Sequence, residues 1–401
     1  MRHLAAITLA ATLAIQVFIS LAATCAAVLA PAVAAEFGLE TKWVGVFVGV
    51  VYAGAMTASL ASAGFIERFG AIRVSQACVL VSVVGLCAMA LTPRGAPLIM
   101  AAAALVLGLA YGPITPASSQ LLVRTTPSSR MSLTFSIKQT GVPAGVALAG
   151  AALPSLEQAV GWRGSLGIVA ACGVLVALAA QPIRASLDTE LVHGRRISIR
   201  AALAPLAHLR MRALRQLALV SMAYAAVQVC LTSFLVVYLT EALDYPLLLA
   251  GFALTSATAG GVAGRIVWGY VADRWLPARR TIALIGALAA VCGVVLAVAQ
   301  PSWPAGACLA LSAIFGATAI GWNGVQLAEV ARLAPRGAAG AVTGATGFVG
   351  FSGVVAGPPL FAMIASLTGS YRASLVAIAL LSAAGALWLT HTAREVATPD
   401  K

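Results

Sequence analysis

LAAITLAATLAIQVFISLAATCAAVL, residues 4–29, is an apolar run of 26 residues without a charged side chain. As a helix rising about 1.5 Å per residue it outreaches the roughly 30 Å hydrocarbon core of a bilayer. Its polar residues, Thr8, Thr12, Gln16, Ser20 and Thr24, recur every four positions, so they form one slowly winding stripe. The run is longer than the core of a secretory signal and similar runs follow it, so it is read as a membrane span. The AATC stretch lacks a Leu three residues before Cys25 and is not read as a lipidation site.

The rest of the chain repeats the pattern. Hydrophobic residues make up 61% of the 401 residues, charged residues only 9%, and the mean hydropathy is +0.98. A soluble domain of that composition could not cover its surface. The reading is an all-α polytopic membrane protein, with every backbone amide satisfied inside its own helix. Twelve spans are predicted: Leu4–Leu29, Trp43–Phe65, Val74–Leu91, Leu98–Gln120, Leu133–Leu153, Gly164–Ala180, Leu217–Leu239, Leu247–Val271, Thr281–Ala299, Ala305–Ala328, Gly340–Ser366 and Ala373–Thr390. The seven cysteines fall in apolar runs without metal-ligand spacing and read as small buried hydrophobes. The four histidines (His3, His193, His208, His391) lie outside the spans or at their edges. No metal site, cofactor or catalytic grouping is expected, which argues against an enzyme.

The formal charge of +13 is explained by its placement. With the N-terminus inside, 19 of the 25 Lys and Arg fall in cytoplasmic segments, four in outer loops (Lys42, Arg94, Arg163, Arg372), and two, Lys138 and Arg265, within spans. That asymmetry is the positive-inside rule; it puts both termini in the cytoplasm, as for a bacterial inner membrane protein. The basic central stretch lies beside anionic headgroups and needs no nucleic acid.

The two halves also repeat. Trp162-Arg163-Gly164-Ser165-Leu166 returns 209 residues later as Tyr371-Arg372-Ala373-Ser374-Leu375; Glu67-Arg68 returns as Asp273-Arg274, and Pro127 as Pro335. The expected domains are residues 1–180, a basic linker 181–216, and residues 217–401. Two copies of six helices keep the same orientation, so the symmetry axis runs along the membrane normal.

GYVADRWLPARR, residues 269–280, resembles the loop motif of the major facilitator superfamily, Gly-x-x-x-Asp-Arg followed by a basic cluster. The first-half copy, AGFIERFGAIR, departs from it, with Ala63 for the usual glycine and Glu67 for the aspartate. The resemblance implies twelve transmembrane helices in two pseudo-symmetric six-helix bundles, a solute site between them, and gating by Gly269, Asp273, Arg274, Glu67 and Arg68. A carboxylate at a helix end can meet the positive N-terminus of a neighbouring helix, worth about 0.3–1 kcal/mol; the alternative is a solvated charge beside Arg274. Gly141-Val142-Pro143-Ala144-Gly145 is read as a packing and bending device.

In the family, helices one, four, seven and ten line the cavity. Here they carry Gln16; Tyr111, Thr115 and Ser118; Tyr224, Gln228 and Thr232; and Thr318, Trp322, Asn323 and Gln326. For Thr and Ser, return of the proton to the backbone is favoured; the amides Gln16, Gln228 and Asn323 have more to satisfy. Helices six, nine and twelve have few central polar residues and can face lipid on most sides. Lys138 and Arg265 are the unusual cations, because a charge in the bilayer interior costs at least ~2.5 kcal/mol. Side chains lean toward their own helix N-terminus, so Lys138 can snorkel to water whereas Arg265 leans inward. Gly141, Gly145 and Ala149 share a face with Lys138, and Gly261 and Gly269 flank Arg265, which points to packing against protein. Gly264-Arg265 resembles the helix-eight arginine of oxalate and monocarboxylate carriers, where a guanidinium meets the substrate carboxylate. No Asp or Glu lies inside helices one to nine, unlike a proton-driven exporter of cations. Glu329 is either a gate partner of Arg332 or an interfacial charge.

The function expected is secondary transport of a small organic anion, with Arg265 and Lys138 as charge partners and Gln16, Tyr111, Tyr224, Gln228, Trp322 and Asn323 shaping the cavity. A co-transported proton or an exchanged anion would supply the coupling, and a monomer suffices. The alternatives are efflux of neutral or amphipathic compounds and a non-transporting membrane sensor.

Overall fold

The computed structural model describes residues 2–38, 43–94, 96–189, 191–192 and 198–397, so Lys42, His193, Arg195, Arg196 and Lys401 lie outside the described residues. The described chain is helical, with no strand among these residues. The spanning helices are α1 (Arg2–Val28), α2 (Trp43–Phe69), α3 (Ala71–Ala90), α4 (Pro97–Tyr111 continued by Ile114–Thr125), α5 (Met131–Gln139 continued over 141–160), α6 (162–179), α7 (Arg212–Glu241), α8 (Leu247–Arg274), α9 (Ala278–Ala297), α10 (Ala305–Ala319 continued by Asn323–Leu333), α11 (Ala339–Thr368) and α12 (Tyr371–Ala397). Among the described residues 11 helical stretches are long and apolar enough to cross a membrane. One of them, Ser128–Ala179, has 52 residues and turns at Gly161 (φ 72°, ψ 167°), so it supplies both α5 and α6 and the crossings number twelve.

The chain forms two compact units. The first comprises Met1–Thr126, Lys138–Arg210 and Ala334–Phe348; the second comprises Pro127–Ile137, Met211–Leu333 and Val349–Lys401. Each has its own apolar core, around Phe18, Ile72 and Leu166 in the first and around Tyr238, Phe315 and Phe361 in the second. Large apolar side chains left exposed, such as Leu91, Leu98, Leu175 and Leu367, suit a hydrocarbon surround.

Lipid gives helices no hydrophobic drive to associate, so they close on small residues. In the first unit α4 presses on α2, and a Cβ on Gly108 would fall inside contact distance of the Val51 carbonyl oxygen. In the second unit α10 presses on α8 at the same place in the repeat, Gly316 against the Ala257 carbonyl, with Gly260 and Gly264 against Ala313 and Ala317.

The repeated Arg163 and Arg372 cap corresponding helices. Arg163 donates to the carbonyls of Ala90 (2.9 Å) and Thr92 (2.8 Å) at the end of α3, and Arg372 to Ala299 (3.0 Å) just past α9. Arg163 also pairs with Glu36 (2.5 Å) and lies 4.3 Å from the Trp162 ring centre, while the Trp162 indole donates to Glu36 (2.7 Å). The Trp162 hydrogen bond, then that of Arg163, and the charges of Arg163 and Arg94 hold the Glu36 carboxyl below its ordinary range. A carboxyl lowered in the folded state stabilises fully above its unfolded value, and that contribution is lost as pH falls through the folded value. Thermal unfolding followed from neutral pH to about pH 3 is therefore expected to show a smaller loss of stability in Glu36→Gln than in the wild type; equal losses would remove this latch.

Two expectations are corrected. Twelve of the 20 residues of α9 are buried, because its alanines and glycines admit close neighbours: Tyr224 fills the space over Gly286, and Ala379 that over Gly293. An absence of polar residues marks a close helix contact as readily as a lipid face. Of the cysteines, Cys87 and Cys172 are exposed on apolar helices, while Cys25, Cys78, Cys230, Cys292 and Cys308 are buried, and all are free thiols.

Candidate functional site

Most of the hydroxyls of the sequence stripes turn back on their own helices. Thr8, Thr12 and Thr24 donate to the carbonyls of Leu4, Thr8 and Ser20, and Thr232 and Thr318 do likewise in α7 and α10. Ser20 crosses to the Val142 carbonyl of α5 (2.9 Å). The remaining groups form one polar cluster in each unit.

In the first unit Lys138 is 1% exposed, so it does not snorkel. Its ammonium donates to Gln16 Oε1 (2.6 Å), Gln139 Oε1 (3.1 Å) and Thr115 Oγ1 (3.4 Å). The glycine face beside it explains the burial. A Cβ on Gly141 would meet Gln16 at 3.0 Å, and Gly145 packs on the Val17 carbonyl, so α5 lies close against α1. Thr115 follows the interruption of α4 at Gly112-Pro113, where Pro113 lacks an N–H. Tyr111, on the other side of that interruption, meets Tyr52 edge-on (6.4 Å, 74°).

In the second unit Arg265 is 2% exposed and donates from Nε to the Ile320 carbonyl (3.1 Å). That carbonyl lies in the interruption of α10 between Ala319 and Asn323, at the place in the repeat where α4 is interrupted. Gly261, facing Ile320, and Gly264, facing the Ala317 carbonyl, admit α10 at this depth, and Trp268 donates to Ala317 (2.9 Å). Asn323 donates to Gln228 Oε1 (2.9 Å). Tyr224 is buried, donates to the Ile282 carbonyl (3.2 Å), and meets Trp322 edge-on (5.8 Å, 86°). The Trp322 indole N–H is buried and makes no hydrogen bond among the described residues.

A third grouping holds the start of α5. The Asp273 carboxylate at the end of α8 accepts from the backbone N–H groups of Ser132 (3.0 Å) and Leu133 (2.8 Å), in the first turn of α5, where N–H donors lack helical partners. The glycines make room: a Cβ on Gly269 would lie 2.6 Å from Ser136 Oγ, and Gly324 faces the Ser136 backbone. Arg332 joins Glu329 (3.2 Å) to Asp273 (3.7 Å) and donates to the Ser128 carbonyl (3.4 Å). A cavity of about 680 Å³ opens here, lined by Asp273, Arg279, Arg280, Glu329 and Arg332. Arg274 is exposed.

The first-half copy is built differently. Glu67 lines a cavity of about 140 Å³ with Gln120, Arg124 and Asp188, and the exposed Arg68 lies 5.1 Å from the Phe69 ring centre. Asp188, from the linker, accepts from the N–H groups of Ile72 (2.9 Å) and Arg73 (3.0 Å) at the start of α3. Burial pushes its carboxyl up, against the pull of those N–H groups and Arg184. Neither Asp188 nor Gln120 was singled out from the sequence. The signal for Asp188 was Gly70, whose φ of +91° and missing side chain admit the carboxylate.

The sequence from residue 12 to 358 matches the family model described as Major Facilitator Superfamily. No curated protein matches the chain. Among solved structures, the human organic anion transporter MFSD10 (TETRAN) is similar at 17% identity, with a TM-score of 0.78 over 95% of this chain and 98% of that one. The E. coli fucose:proton symporter FucP is similar at 15% identity, with a TM-score of 0.75 over 96% and 98%. A structure of FucP in the outward conformation gives 16% identity and 0.75 over 97% and 99%. At such identities the likeness concerns the fold alone. A twelve-crossing chain, a repeated half and a model match over most of its length agree on one assignment: this protein belongs to the Major Facilitator Superfamily.

Proposed function

We propose that this secondary transporter, which works by alternating access, carries a small organic anion, with carboxylates the favoured class. The single observation behind the substrate reading is Arg265, a permanently charged side chain 2% exposed within a membrane-spanning helix. Its fork suits a carboxylate, and Lys138 adds a second buried cation. The unsatisfied indole N–H of Trp322 offers a donor that a solute acceptor can use. Gln16, Tyr111, Tyr224, Gln228 and Asn323 shape the remaining surface. The bundles 1–180 and 217–401 would move about the linker 181–216, with both termini in the cytoplasm of a bacterial cell and one chain sufficient for transport. Proton symport and anion exchange both balance the charge. Family membership makes the chain a transporter and not an enzyme.

The test is uptake and counterflow in proteoliposomes with a panel of short mono- and dicarboxylates, amino acids and lipophilic drugs, with and without a pH gradient. Counterflow confined to carboxylates supports the reading. Drugs alone as substrates would favour the second reading, efflux of neutral or amphipathic compounds. That reading draws support from the protein oxygens that already accept hydrogen bonds from Lys138 and from Arg265 Nε.

Gating is assigned to the Asp273 clasp on α5, with Gly269 as its seat; Arg274, Glu67 and Arg68 are the accompanying motif residues. Asp273→Asn keeps one acceptor and loses the charge, a difference of about 1–2 kcal/mol. Turnover is expected to fall about tenfold with the solute affinity unchanged. A variant with wild-type turnover would eliminate the clasp from the cycle.

A further inference from the structure

The start of α11 is held in the first unit by a side chain outside the family motif. Gln120, near the end of α4, donates from Nε2 to the Gly337 carbonyl (2.9 Å) and accepts on Oε1 from the Gly340 N–H (2.8 Å). Gly340 is the second residue of α11, so this N–H is one of the four that a helix start leaves unsatisfied. Gly337 has φ +78°, a conformation that favours glycine. Beyond this point the helix is seated closely. A Cβ on Gly340 would lie 3.2 Å from the Pro116 carbonyl, one on Gly347 would lie 2.7 Å from Ser59 Oγ, and Ser59 donates to the Gly344 carbonyl (3.4 Å).

We propose that Gln120 is the positioning residue for the start of α11: a neutral amide in the first unit does for α11 what the Asp273 carboxylate does for α5 in the second. By the internal repeat Glu67, not Gln120, corresponds to Asp273; Gln120 and Arg124 of α4 stand 209 and 208 residues before Glu329 and Arg332 of α10, so the hold on α11 comes from a different helix of the repeat than the hold on α5. The chemistry differs in kind. A carboxylate only accepts, whereas an amide also donates, so Gln120 fixes the carbonyl of the approach turn together with the N–H of the helix. A hold made of neutral groups is also insensitive to ionic strength, unlike the Asp273 group with its arginine. The proposal needs alternating access alone and no assumption about the solute.

The test uses full-length protein in proteoliposomes, with Cys87 and Cys172 replaced by Ser and a reporter introduced as Thr343→Cys. Thr343 is 1% exposed, so a maleimide reaches it only when the start of α11 leaves its seat; protein with Thr343 intact gives the background from the buried cysteines. Gln120→Leu, which removes both bonds, is expected to raise the labelling rate about tenfold. Gln120→Glu keeps an acceptor for the Gly340 N–H at a helix N-terminus and is expected to restore most of the protection. Unfolding temperatures are measured alongside, and if the Leu variant does not fold, Gln120→Asn, one methylene too short, is read in the same way. Wild-type labelling in the Leu or Asn variant, or a Glu variant as reactive as the one it should rescue, would overturn the assignment.

Discussion

Arg265→Gln is expected to lower carboxylate counterflow at least about a hundredfold, which corresponds to roughly 2.7 kcal/mol. The guanidinium is buried in α8, and its Nε is bonded to the Ile320 carbonyl in the interruption of α10. That bond fixes the orientation of the fork. A glutamine can still donate to Ile320, and it removes a charge that is costly to hold within a span, so the variant should fold. Arg265→Lys keeps the charge, loses the bidentate geometry, and should fall between the two. Counterflow is read in proteoliposomes beside the unfolding temperature. A stable Gln variant with wild-type rates would end the anion reading while leaving the fold untouched.

Gly316→Ala is expected to cost about 3 kcal/mol or more, at the upper end of what overpacking usually costs. A Cβ at this position would penetrate the Ala257 carbonyl oxygen, which is backbone and cannot rotate away. The helices α8 and α10 would have to separate, and Gly260 and Gly264 hold the same contact along its length. Gly306→Ala, in the same helix with nothing within 4 Å of the new methyl, is the control. It should be neutral or slightly stabilising, since alanine loses less entropy than glycine in a helix by about 0.5–1 kcal/mol. Comparable yields and unfolding temperatures for the two variants would refute the close-contact account.

Particular elements show how far the sequence could be read. The spans were legible because a bilayer demands long apolar runs, but the corner at Gly161 was not: span five was drawn to end at Leu153 and span six to begin at Gly164, whereas α5 continues to residue 160. The repeat of Trp162-Arg163 was legible as pattern, but its reason, the capping of α3 and of the segment after α9, needed coordinates. Asp273 was found because its motif is local. Gln120 and Asp188 were missed because their partners lie 217 and 116 residues away, and nothing local separates a bonding glutamine from a solvated one. The glycines that share the face of Lys138 pointed to packing against protein but left snorkelling open; the oxygens that accept its hydrogen bonds, Gln139 among them, could not be read from the sequence.

Gly161 joins α5 to α6 through a single residue outside helical geometry, and Ser165 closes the corner by donating to the Gly161 carbonyl (2.8 Å). Such a joint has no slack. When one arm of this hairpin tilts, the other is dragged with it like the second leg of a pair of tongs, so spectroscopic labels on the two arms should report a single shared rotation.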